Sequence, residues 1–185
     1  MEKKLAIILP GMGYHKDKPL LYYSTRLAQS LGYEIKHLEY LGLPPKVLDT
    51  ETLKIAGEAA YTSSQAQLSL VDFSQYADVL FIGKSIGTVV SARYLKEHEV
   101  KARQIWYTPV EETFSYQSTG ALAFIGEADP ASDLNVIRQL AHIFHIDLHT
   151  YPDCNHSLET RDVDTNLANI REVMRLTAAY IEKGE

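Results

Sequence analysis

Two apolar patterns alternate along this chain. The first is a short unbroken run stopped by glycine or proline, the pattern of a strand buried on both faces of a parallel sheet. Leu5 to Leu9 is such a run, closed by Pro10-Gly11. Val79 to Ile82 ends at Gly83, Gln104 to Thr108 at Pro109, and Ala121 to Ile125 at Gly126. Glu34 to Leu41 alternates apolar and polar positions instead and reads as a strand near the sheet edge; Asp147 to Tyr151 reads as another strand. The second pattern recurs with helical spacing, one apolar face per turn. It predicts helices over Pro19–Leu31 (Leu20, Leu27, Leu31), Glu51 to about Phe73 (Leu53, Ala56, Ala60, Ser64, Leu68) and Ile86–Glu97, the last with Val89, Ala92 and Arg93 facing the sheet. Ala131–Phe144 and Val163–Ile181 (Val163, Leu167, Ile170, Met174, Ile181) complete the set. Gly42-Leu43-Pro44-Pro45 and the polar stretch Pro109–Thr119 read as loops. Strands and helices in alternation predict an α/β chain: a three-layer α/β/α sandwich around a mostly parallel sheet of about six strands. The expectation is one domain over residues 1–185, with no separate cap domain.

Composition changes this picture little. Of 185 residues, 45% are hydrophobic and 23% charged, ordinary for a globular domain and unlike disordered, collagenous or coiled-coil chains. A net charge of −6 lacks the basic footprint of a phosphate-backbone binder, so no nucleic-acid partner is expected. Cys154 is the single cysteine, which excludes an internal disulfide and a cysteine-built zinc cage. Lys3-Lys4 before the first apolar run superficially resembles a signal peptide. The run is too short for one and lacks a small-residue cleavage site. No stretch approaches the roughly 18 apolar residues of a membrane span. A cytoplasmic protein with no membrane partner is expected.

Candidate chemistry starts at Gly83-Lys84-Ser85-Ile86-Gly87, a G-x-S-x-G sequence between a predicted strand and a predicted helix. The flanking glycines Gly83 and Gly87 allow a turn so tight that a Cβ would collide with the neighbouring elements. Ser85 is thereby lifted above the sheet at a helix N-terminus, whose partial positive charge favours developing negative charge. The bland alternative, a serine that only caps the helix, does not need this strand–turn–helix context. A phosphate loop would need glycine where Asp78 stands, and a dinucleotide fingerprint starting at Gly11-Met12-Gly13 would need glycine at Lys16. A nucleophilic serine of this kind is followed in the chain by an acid and then a histidine. Asp129 and His156 stand in that order, each just past the end of a later strand, at the edge where open α/β sheets bind ligands. Ser85 would attack, His156 would take its proton, and Asp129 would hold the imidazole. The backbone N–H groups of Ile86 and Met12 are the candidate oxyanion donors, the second in a loop whose Gly11 and Gly13 allow close approach of backbone to substrate.

On these residues the chain resembles a small member of the α/β-hydrolase superfamily, over essentially its whole length and beginning at what would be the family's third strand. The resemblance implies a minimal α/β-hydrolase sheet topology and the Ser85, Asp129, His156 assignment. Two departures stand out: Pro10 occupies a position where many relatives carry histidine, and Lys84 precedes the nucleophile. Tyr14, His15, Tyr107 and Phe114, at or near strand ends, are candidates to line a pocket. Glu159, three residues beyond His156, is a candidate to orient the loop or meet Lys84. His142, His145 and His149 invite a metal reading, but a helix ending near Phe144 gives their side chains no reason to converge, so no metal and no cofactor is expected. The expected function is a serine hydrolase that cleaves a small-molecule or carrier-linked ester or thioester through an acyl-enzyme. An acyltransferase or amidase with the same triad, or a non-catalytic binding protein on the same fold, are the alternatives. With only Pro109–Thr119 in place of a lid, the pocket should be shallow and should favour short acyl chains, acetyl to butyryl.

Overall fold

The unbroken apolar runs form the middle of one sheet. The computed structural model describes residues 2–44 and 50–184. Strands β1 (Lys4–Leu9), β2 (Tyr33–His37), β3 (Asp78–Lys84), β4 (Arg103–Tyr107), β5 (Leu122–Gly126) and β6 (Asp147–Tyr151) alternate with helices α1 (Pro19–Ser30), α2 (Thr50–Leu68), α3 (Ile86–Glu97), α4 (Leu134–Ile143) and α5 (Val163–Glu182). The strand order is β2-β1-β3-β4-β5-β6 and every neighbouring pair is parallel. The chain leaves β1 toward one edge and returns through β3 toward the other. The switch point therefore lies between β1 and β3, where an open α/β sheet leaves a crevice at its C-terminal ends.

Because side chains alternate along a strand, each central strand feeds two layers. Ala6, Ile8, Leu80, Ile82, Tyr107 and Phe124 pack beneath α1 and α5, with Leu20, Leu21, Val173 and Ile181 opposite them. Leu5, Ile7, Leu9 and Phe81 pack against α2 and α3, and Trp106, Ala123 and Ile125 against α3 and α4. This is the three-layer sandwich that the periodicity predicts.

Several element boundaries differ from the sequence reading. β2 ends at His37, short of Leu41, because only Leu38 of the following residues is buried in the core. α2 ends at Leu68, and Phe73–Gln75 forms a separate turn of 3-10 helix capped by the Asp72 carboxylate. Leu53, one turn before the packed stripe of Ala56, Ala60, Ser64 and Leu68, is exposed. Arg93 turns to α2 rather than to the sheet: it pairs with Glu58 at 2.7 Å and lies over the ring of Tyr61. α4 starts at Leu134 because Asp133 caps it, accepting the Asn135 and Val136 N–H groups. The stretch Pro109–Thr119 is not simply a polar loop. Glu111–Tyr116 is 3-10 helix, and it buries Thr113 and Phe114. Pro45, in the expected loop Gly42–Pro45, lies outside the described residues.

Candidate active site

Ser85 joins the last residue of β3 to the first of α3, with φ 54° and ψ −120°. Such a conformation costs a residue with a Cβ about 1–3 kcal/mol and persists where the surroundings over-determine it. Two glycines are those surroundings. A Cβ on Gly83 would stand 2.7 Å from the carbonyl oxygen of Gly87, and one on Gly87 would stand 2.5 Å from that of Leu9. The ends of β1 and β3 and the start of α3 close on one another with room for hydrogen atoms only. The Ser85 N–H donates to the Tyr107 carbonyl at 2.9 Å, and its own carbonyl accepts the Thr88 N–H at 2.8 Å.

Asp129 and His156 arrive from the loops after β5 and β6. The Asp129 side chain is 1% exposed and accepts the Ala131 N–H at 2.9 Å. Its two carboxylate oxygens lie 2.9 and 2.7 Å from His156 Nδ1, and His156 Nε2 lies 2.8 Å from Ser85 Oγ. A carboxylate can only accept, so Nδ1 carries the proton and Nε2 is left to accept from the serine hydroxyl. The three side chains form one directed hydrogen-bond chain, with the imidazole 30% exposed at its open end. Ile86 opens α3, where the first N–H groups have no carbonyl a turn earlier to bind. Across the switch point, the turn Gly11–Tyr14 closes on itself through Gly11 N–H to Tyr14 O (3.0 Å) and Tyr14 N–H to Gly11 O (3.2 Å). Neither bond uses the Met12 N–H.

Neither a family model nor a curated protein matches the sequence. Solved structures do match the fold. An α/β serine hydrolase homologue from Coxiella burnetii is 15% identical with a TM-score of 0.66, the match covering 94% of this chain and 84% of that one. XC6422 from Xanthomonas campestris, described as a serine hydrolase without lid, is 16% identical with a TM-score of 0.62, over 97% and 83% of the two chains. Est1E from Butyrivibrio proteoclasticus with ferulic acid bound is 12% identical with a TM-score of 0.73, over 98% and 89%. This chain has the α/β-hydrolase fold. At these identities the likeness is one of fold, and the chemistry must be read from the site itself.

On this α/β-hydrolase frame, the loop carrying His156 is built by contacts that the sequence does not display. A Cβ on Gly126 would stand 2.1 Å from the Cys154 carbonyl oxygen, so the bare glycine at the end of β5 lets the histidine loop lie directly on it. The Ala128 N–H donates to that same carbonyl at 3.0 Å, tying the Asp129 loop to the His156 loop. Within the latter, Asn155 Oδ1 accepts the N–H groups of Ser157 (2.7 Å) and Glu159 (3.2 Å). Gly126 and Asn155 are positioning residues that the sequence reading passed over. Gly126 figured there only as a strand stop, and its second function depends on a contact 28 residues along the chain. Cys154 is buried in the same loop, accepts from Asn169 Nδ2 at 3.2 Å, and has its thiol pKa raised by burial.

The candidate pocket residues separate. Tyr14 lines a groove beside the triad. His15 is exposed, and its Nδ1 accepts the Asp17 N–H. Tyr107 is not a pocket residue: fully buried, its hydroxyl lies 2.8 Å from both Ser24 Oγ and Thr177 Oγ1. Phe114 is core as well, set edge-on against Trp106 beneath α3 and α4. Of the loop glycines, Gly11 packs against Lys84, a Cβ there falling 3.1 Å from Lys84 Cγ, whereas Gly13 serves its φ of +69° and has open space around it. Lys84 itself is 1% exposed. Its side chain runs under Gly11, with Nζ 5.1 Å from the centre of the Tyr14 ring. Burial lowers its pKa to about 7, against the opposing pull of the Asp129 carboxylate. Glu159 is exposed and meets the loop through its backbone. His142 lies in the last turn of α4, and His149 lies on β6 beside Asp147 (3.3 Å). Among the described residues, no three His, Cys, Asp or Glu side chains gather as metal ligands, and no helix is long and apolar enough to cross a membrane.

Proposed function

We propose that this protein is a serine hydrolase that cleaves an ester or thioester of modest size through an acyl-enzyme. The observation that carries this reading is the continuous chain from Ser85 Oγ, on its strained turn, through the His156 ring to Asp129. A serine held there merely as a helix cap would not need the strain, and its side chain makes no capping hydrogen bond.

In this reading each group has a step. His156 Nε2 takes the Ser85 proton as Oγ attacks the substrate carbonyl carbon. The carbonyl oxygen becomes an oxyanion facing the Met12 and Ile86 N–H groups, either of which is worth roughly 3 kcal/mol to the transition state. Asp129 stabilises the imidazolium and fixes its orientation. Collapse of the intermediate breaks the bond to the leaving oxygen or sulfur, which receives the proton from Nε2. Water then attacks the acyl-enzyme with His156 as base, and Ser85 is regenerated. The substrate is a small-molecule or carrier-linked acyl compound. The β4–β5 connection supplies no cap over the site among the described residues: it is the short 3-10 helix Glu111–Tyr116, which buries Thr113 and Phe114 in the core. The description of the Xanthomonas protein as lacking a lid is consistent with this reading.

Labelling by a fluorophosphonate probe tests it. The wild-type protein should label at Ser85 and turn over nitrophenyl acetate, and Ser85→Ala should do neither beyond the residual rate that binding and oxyanion donors sustain. A Ser85→Ala protein with wild-type turnover would overturn the assignment.

A further inference from the structure

The apolar stripe of α5 outruns the core it packs on. Val173 and Ile181 are buried against the sheet, and Ile170 and Met174 are packed at the edge of that cluster. Two further members of the stripe, Leu167 and Val163, are 61% and 68% exposed. Together with Tyr14, Leu20, Tyr23 and Leu158 they line a groove of about 390 Å³ between the N-terminal halves of α1 and α5. A concave apolar site of this size is within the range that binds small ligands. A contiguous exposed apolar surface on a small domain is itself a mark of binding.

The groove borders the site on two sides. One wall is Ser157 and Leu158, which follow directly on His156. The other is Tyr14, two residues beyond Met12 in the turn across the switch point. Ser85, His156 and Asp129 do not line the groove; it meets the site through the chain neighbours of His156 and Met12, a route by which one arm of an ester held on Ser85 can enter it. At about 30 Å³ for each water-sized group, the volume takes on the order of ten carbon atoms.

We propose that this groove binds the apolar arm of the ester, an alkyl or aryl group of roughly six to ten carbons on the scale of that volume, and so sets a preference for medium-length over acetyl esters. The inference rests on the reading of Ser85 as nucleophile. It reverses the expectation of a shallow pocket and short acyl chains, which considered only the missing lid and not the apolar crevice between α1 and α5.

Two substrate series at fixed chemistry test it: nitrophenyl esters from acetyl to decanoyl, and acetate esters of alcohols of the same lengths. Full burial of a methylene is worth about fourfold (~0.8 kcal/mol), and a half-open groove about twofold. One series should therefore climb on the order of 60-fold in kcat/KM over the six methylenes from the shortest chain to the eight-carbon one, then level off. Which series climbs shows whether the acyl or the alcohol half occupies the groove. The double variant Val163→Asn with Leu167→Asn, on exposed positions, should flatten that climb, bringing kcat/KM for the eight-carbon ester toward that for the shortest one. Flat kcat/KM in both series, or a climb untouched by the variant, overturns the groove while the hydrolase reading stands. Calorimetric titration of the Ser85→Ala protein with the two-carbon and eight-carbon esters tests the groove without turnover. Tighter binding of the longer ester supports it, and equal affinity overturns it even if the hydrolase reading has failed.

Discussion

The turn that carries Ser85 and the loop that carries His156 reach the same site by different means. Steric contact between backbones fixes the turn: Gly83 lies against Gly87, Gly87 against Leu9, and Ser85 takes the one conformation they leave. Hydrogen bonds fix the loop, from Ala128 to Cys154 and from the backbone beyond His156 to Asn155 Oδ1, together with one close approach at Gly126. The turn is continuous with the centre of the sheet, whereas the loop is a surface segment resting on the end of β5. The placement of Ser85 is therefore set by the centre of the fold, and that of His156 by its loop. Since Ser157 and Leu158 also line the groove, the proposed substrate contact and the position of His156 share one loop.

The largest effect should come where the loop meets its acid. In Asp129→Asn the amide can donate to Nδ1, which turns the imidazole to the tautomer with a proton on Nε2, facing Ser85. The turnover number should fall by something like 10⁴-fold with little change in melting temperature. A mild loss, with a severe one on mutating Asp133 or Glu159 instead, would show that the acid is misassigned.

The next pair of substitutions separates turn from loop. Gly87→Ala forces a Cβ onto the Leu9 carbonyl in the middle of the fold and should cost about 3 kcal/mol in denaturant unfolding. Gly126→Ala forces a Cβ onto the Cys154 carbonyl, and the loop can yield by moving. A displacement of about an ångström would lower kcat by roughly 10²-fold while most of the stability remains. If Gly126→Ala loses stability and activity in the same proportion as Gly87→Ala, the loop is as firmly built as the turn and the contrast between them fails.

The same contrast explains what was legible in the sequence. The G-x-S-x-G turn is contiguous, and the contact of Gly83 with Gly87 acts between residues four apart, so residue type and order were enough to place it, although the contact of Gly87 with Leu9 was not legible. The apolar runs of β1, β3 and β5 were legible because central strands need apolar residues on both faces. Asp129 and His156 could be ordered along the chain, but the ties between their loops join residues far apart, and nothing local marks Gly126 or Asn155. Tyr107 and Phe114 were misplaced for a related reason. Position at a strand end does not say which sheet face a side chain takes, and these two point into opposite layers of the core. The groove was missed because the stripe of Val163, Leu167, Ile170 and Met174 is the pattern of a buried face, and only the placement of α1 leaves its first two members uncovered.

The smallest effect concerns the residue before the nucleophile, and it has a defined pH window. Lys84 is enclosed by β3, the Gly11–Tyr14 turn and the base of the site, with the Tyr14 ring and the Asp129 carboxylate as the groups that face its ammonium. Desolvation outweighs the carboxylate, so the folded pKa falls to about 7 while the unfolded chain keeps a value near 10.4. Below pH 7 both states hold the proton, and folding carries the full cost of burying the charge. Between about 7 and 10 the unfolded state binds more protons than the folded one, so this cost shrinks as pH rises. Methionine keeps the length of the side chain without the charge. Lys84→Met should therefore melt several degrees above wild type at pH 6, and the difference should fade across pH 7 to 10. That fading separates the charge from packing, because a gain from better packing alone would be the same at both ends. A difference that stays flat over this range, or a variant less stable than wild type at pH 6, would mean that the ammonium at the elbow is stabilised by its surroundings rather than tolerated by them.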